Sequence, residues 1–101
     1  PFDGKSTDPK VEKFVKAYTE KFGKAPDQFA ADGYDAVMIL YEAMKAAGVK
    51  DAEISATDLA KILRDTLTGG SFSYSGVTGK NMKWTKGGSC EKDPQIVKVQ
   101  R

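Results

Sequence analysis

The residues that could do chemistry in this sequence are few, and most sit on or beside one predicted helix. Asp27, Asp32, Asp35 and Glu42 are carboxylates in a single stretch, and Asp32 and Asp35, three apart, can share a helical face. Two carboxylates on one face can do acid–base work. No second catalytic group accompanies them. Asp27 and Asp32 are read instead as favouring the helix N-terminus electrostatically, and Asp35 as a local cap or pair. Gly76-Val77-Thr78-Gly79-Lys80 resembles a phosphate loop only superficially. It lacks the GxxxxGK[ST] spacing and is not followed by a helical pattern, so a tight turn or strand crossing is expected. Cys90 lies between Ser89 and Glu91 in a Gly-rich turn with no base or partner beside it, and is read as an incidental exposed cysteine. The absence of histidine excludes Ser-His-Asp and Cys-His catalysis in their usual form. A single cysteine excludes an internal disulfide and a multi-cysteine zinc site. No enzyme activity, cofactor or metal is expected.

Phe29, Tyr34, Tyr41, Tyr74 and Trp84 are the aromatic residues that could line a ligand site. The helical spacing of Tyr34 and Tyr41 reads as core. Phe29 differs, because it follows the Pro26 turn at the mouth of a helix, where ligands are commonly held. Nucleic acid is not an expected partner. Sixteen basic residues are interleaved with fourteen acidic ones, and Arg64 and Arg101 are the only arginines.

The elements that must position these residues follow from period and punctuation. Asp8-Pro9 starts a helix with a side-chain acceptor and a proline at the first helical position. Val11, Phe14, Val15, Tyr18 and Phe22 then line one face, and Gly23 supplies a left-handed stop. A second helix is expected from about Gln28 or Phe29 to Ala47, closed by Gly48. It is apolar on nearly all sides around Asp35-AVMILYEAM, as in a buried central helix. So short a chain can barely cover such a helix, which hints that part of its packing surface lies elsewhere. Ile54-Ser55-Ala56-Thr57-Asp58-Leu59 starts a third helix, with Leu59, Ile62, Leu63 and Leu67 on one side and Gly69-Gly70 at its end. Beyond Ser71 the period changes. Residues 81–85 and 95–100 read as two short strands, paired antiparallel across Lys86-Gly87-Gly88-Ser89. The longest apolar run, residues 36–41, is too short to cross a bilayer.

Two segments carry a family resemblance. Lys21-Phe22-Gly23-Lys24-Ala25-Pro26 followed by Phe29-Ala30-Ala31-Asp32-Gly33-Tyr34-Asp35-Ala36-Val37 resembles the K-[YF]-G-K-x-P and F-A-A-x-x-Y-D-A-V patterns of periplasmic solute-binding proteins of branched-chain amino acid ABC transporters. Ser75-Gly76-Val77-Thr78-Gly79-Lys80, running on to Gly88, resembles the G-V-T-G segment of the same family. The order of the two, and the helix between them, make the likeness more specific than either alone. Trp84 and a neighbouring threonine or lysine stand where the family usually has Phe and Asp, and residues 89–93 are not typical of it.

The resemblance implies an α/β fold: a partial lobe of a type I periplasmic-binding-protein fold, with three helices followed by a small antiparallel β element. Residues 1–101 would form a single unit, the C-terminal fragment of a two-lobed protein, with a helical part over 9–69 and a β part over 71–101. The start at Pro1 fits removal of a preceding segment. The parent would capture a small polar ligand, such as a branched-chain amino acid, between closing lobes and hand it to a membrane permease. Phe29 carries over as a cleft-lining position. Ala30 and Asp32 are its neighbours, with Asp32 able to attract an ammonium group or to cap its own helix. The expected location is periplasmic or extracellular, with a lipid anchor in a Gram-positive source. The isolated piece is expected to bind amino acids weakly and to self-associate through the uncovered helix face. Two alternatives remain open: a ligand-sensing domain of a receptor or regulator with the same fold, and a small helical interaction module.

Overall fold

The computed structural model describes residues 2–50 and 53–94. It contains three helices, α1 (Pro9–Phe22), α2 (Gln28–Ala46) and α3 (Ala56–Thr68), followed by a two-stranded antiparallel sheet of β1 (Lys83–Trp84) and β2 (Cys90–Glu91). This is the expected order of three helices followed by a small antiparallel β element.

The helix ends are set by local hydrogen bonds. Asp8 Oδ1 accepts from the Lys10 N–H at 2.9 Å, with Pro9 at the first helical position. Its carboxyl is held below the usual range, first by that backbone bond and then by the Lys80 ammonium 3.2 Å away. Gly23, at φ 74°, ends α1 and donates to the Thr19 carbonyl at 2.8 Å. Asp27 caps α2 by accepting from the Ala30 N–H at 2.8 Å. The Ser55 hydroxyl accepts from the Asp58 N–H at 3.1 Å and starts α3.

The core lies between α1, α2 and the loop that follows α3. Val11 and Phe14 of α1 meet Ala31 of α2 and Val77, with Phe2, Tyr18 and Ala30 packed around them. The Phe14 ring lies 4.7 Å from Tyr34 and meets Phe2 edge-on at 5.9 Å. Ala31 and Ala43 are fully buried, and small side chains there let neighbours approach α2 closely. α3 packs on α2 and β1 with Leu59, Ile62, Leu63 and Leu67 half-buried.

The buried side of α2 is narrower than its sequence suggests. Tyr34, Val37, Leu40 and Tyr41 are exposed, Val37 at 66%. Tyr34 and Tyr41, expected in the core, therefore lie at its edge and outside it. Such an apolar helix surface needs a partner to be stable against water.

Met82 is buried and pairs with Tyr74 through reciprocal backbone bonds of 3.0 and 2.8 Å, and Trp84 packs near Phe72. Lys83, between them, is exposed, as alternation requires. The partner of β1 is Cys90–Glu91, in register Lys83 with Glu91 and Trp84 with Cys90. Cys90 thus sits in a strand rather than in the turn, and it is exposed. The strand expected over residues 95–100 lies outside the described residues.

Candidate functional site

α2 carries two groups of residues that bear on function. The first is its N-terminal mouth. Phe29 stands in the first turn and is 84% exposed. Ala30, the next residue, turns inward against the core. Asp32 is exposed, and its carboxylate accepts from Gln28 Nε2 at 2.8 Å. Gln28 Oε1 of the same side chain accepts from the Phe2 N–H at 2.6 Å, tying the lead-in segment to the mouth. Phe29, Ala30 and Asp32 therefore share a helical turn but diverge in direction.

The second group is centred on Asp35, two turns along the helix and 2% exposed. A carboxylate in an apolar helix needs donors, and α2 has none to spare at this position. The donors come from the loop at residues 76–79. Val77 N–H donates to Oδ1 at 3.1 Å, Thr78 N–H to Oδ2 at 2.8 Å, and the Thr78 hydroxyl to Oδ2 at 2.5 Å. Asp35 is therefore not a local cap or pair. It spans more than forty residues to close a Gly-Val-Thr-Gly turn, itself joined by Gly76 N–H to the Gly79 carbonyl at 2.9 Å. Successive N–H groups converging on one anion form a nest, and here a side chain of the same protein occupies it.

Gly76 is required by this approach. A Cβ there would overlap Asp35 Oδ1 and the Tyr74 ring, well inside van der Waals contact. Burial and then the Asp35 charge, with smaller effects of Tyr34 and Glu42, push the Tyr74 phenol up to about 12. Lys10 Nζ donates to the Ser75 carbonyl at 2.6 Å and anchors the loop to α1 as well.

A cavity of about 500 Å³ lies beside this loop, lined by Asp3, Asp8, Thr78, Lys80, Lys92 and Asp93 among others. Its walls pair largely with one another or with near neighbours. Asp8 meets Lys80 at 3.2 Å, Asp93 accepts from Asn81 Nδ2 at 2.6 Å, and Lys92 Nζ donates to the Thr78 carbonyl at 3.4 Å. Phe29, Ala30 and Asp32 do not line it.

The role of Asp35 is the feature that reasoning from the residues missed. The available signal was a carboxylate directly before the apolar run Ala36-Val37-Met38-Ile39-Leu40, together with a donor-rich glycine turn with no phosphate-loop spacing to explain it.

The periplasmic binding protein family matches the chain over residues 1–101, and the chain belongs to that family. An ABC transporter substrate-binding protein from Desulfitobacterium hafniense has a similar structure, with a TM-score of 0.68 and 26% identity over 91% of this chain. The match takes in 24% of that protein, so the chain spans about a quarter of its length. No curated protein matches the chain significantly.

Proposed function

We propose that the chain is the C-terminal part of the substrate-binding component of an ABC transporter. As a single unit, with its helical part over residues 9–69 and its β part over 71–101, it contributes to one of two lobes. The observation that carries the reading is the family match over the whole chain, supported by the similar fold of an ABC transporter substrate-binding protein.

The ligand is a small polar molecule of the branched-chain amino acid class, held between the lobes and released to a membrane permease. Binding and release involve no bond-making, so the protein is not an enzyme. Its place is outside the cytoplasm: periplasmic, or extracellular with a lipid anchor in a Gram-positive source. Among the described residues, no helix is long and apolar enough to cross a membrane.

Phe29 forms an apolar wall of the ligand cleft, in keeping with its exposure at the first turn of α2. Ala30 and Asp32 flank it as secondary contacts. Asp32 already accepts from Gln28, which leaves part of its carboxylate for an ammonium group. The exposed face of α2 packs on the rest of the lobe in the whole protein. In the isolated chain the same face drives self-association.

Calorimetric titration with leucine, isoleucine and valine tests the reading. The whole protein carrying this chain should bind at least one of them, and Phe29→Ala should weaken binding about tenfold, the value of roughly one apolar side-chain contact. The isolated chain should show no saturable binding below millimolar ligand, because it holds one wall of the cleft. Tight binding by the chain alone, or a whole protein indifferent to all small polar ligands, would contradict the proposal.

A further inference from the structure

We propose that Asp35 is a positioning residue that locks the loop at residues 74–82 to α2, so that the helix mouth and the return into β1 move as one body. The consequence for ligand capture rests on the solute-binding reading. The lock itself rests on geometry.

The geometry gives the lock two independent sides. On the acceptor side, a buried carboxylate receives two backbone N–H groups and a hydroxyl from consecutive residues. Bonds of this kind to an ionised acceptor are stronger than neutral ones, and breaking them strands buried donors. On the loop side, Gly76 admits the carboxylate, and the Tyr74–Met82 bridge closes the loop behind it. Met82 is adjacent to β1, so a shift of the loop would carry the strand with it. At the other end, Ala31 lies one turn before Asp35 and shares a core with Val77. Phe29 is two residues further. No flexible connection intervenes between the lock and the mouth of the helix. Movement on ligand capture is then taken up outside this unit, and the wall formed by Phe29 keeps a fixed relation to the strand return.

Hydrogen exchange and ligand titration on the whole protein carrying this chain test the proposal together. The amides of Val77 and Thr78 should exchange as slowly as those in the middle of α2. Asp35→Asn replaces one acceptor oxygen by a donor, and it should speed both amides roughly ten- to a hundredfold. Thr78→Val retains the carboxylate and both backbone bonds, so it reports even where Asp35→Asn fails to fold. It should speed exchange about tenfold, and Thr78→Ser should restore protection. The same series should order amino acid affinity: wild type and Thr78→Ser alike, Thr78→Val weaker. Rapid exchange of Val77 and Thr78 in the wild type would overturn the lock. Rapid exchange in Thr78→Val with unchanged affinity would overturn the positioning role and leave solute binding intact. A wild type with slow amides that binds no small polar ligand would leave the lock standing and remove the solute-binding reading.

Discussion

The two sides of α2 have opposite fates. One side buries Ala31, Asp35 and Ala43, and even its charged member has every donor it needs from the loop at residues 76–79. The other side leaves Val37, Leu40 and Tyr41 against solvent although their chemistry is that of a core. The contrast teaches where the chain is self-sufficient. A buried charge is costly unless every partner is present, so the Asp35 side must be complete within these residues. Apolar exposure costs less per residue and can wait for a partner. The contrast fits the proposal that the chain is one part of a larger lobe, in which a further layer would cover the open side of α2.

Substitutions on the complete side should have the largest effects. Asp35→Ala removes the acceptor and leaves three donors at a buried site. It should cost about 3 kcal/mol or more, measured by denaturant unfolding. A loss below about 1 kcal/mol would mean that water replaces the carboxylate easily. Tyr74 tests the same side by pH. Its phenol ionises at about 12 when folded against an ordinary 10.0, so the folded state favours the neutral form. That stabilisation is full below pH 10.0 and is lost as pH rises from there through about 12. Unfolding followed against pH should show this alkaline loss, and Tyr74→Phe should remove it.

Much of the helical frame is legible in the amino-acid order, because its causes are local. Asp8-Pro9, Gly23 and Ser55 act within four residues of themselves, and each ends or starts a helix where its chemistry requires. The sheet was less legible. The partner of β1 among the described residues is Cys90–Glu91, a pair with little intrinsic strand preference. Closure of the tight turn after Thr85 decides that pairing, with Thr85 N–H donating to the Ser89 carbonyl at 2.9 Å. Asp35 was misread for a similar reason: its partners lie 42 and 43 residues away, beyond any local pattern. Phe29 is legible as a candidate from its place after the Pro26 turn at the helix mouth, whereas Ala30 and Asp32 join it only through the family resemblance.

Smaller effects sharpen the contrast further. Asp8→Ala should cost about 1 kcal/mol through loss of the α1 cap. The lowered carboxyl adds a pH signature: its contribution is full above the ordinary value of 3.8 and falls away as pH drops through the lowered folded value. Acid titration of helicity should lose that component in the variant. On the open side, Val37→Lys should change the stability of this chain by less than about 0.5 kcal/mol. It should nevertheless reduce self-association in sedimentation, and it should damage folding of the whole protein, where the lysine would be buried. Equal tolerance in both settings would show that nothing covers this face.

The most direct measurement is the size and location of the native product in its source cells, detected with an antibody to residues 11–48. The account predicts a product several times heavier than 10.9 kDa in the exported fraction. A cytosolic product near 10.9 kDa would contradict it, because the open side of α2 would then have no further chain to cover it.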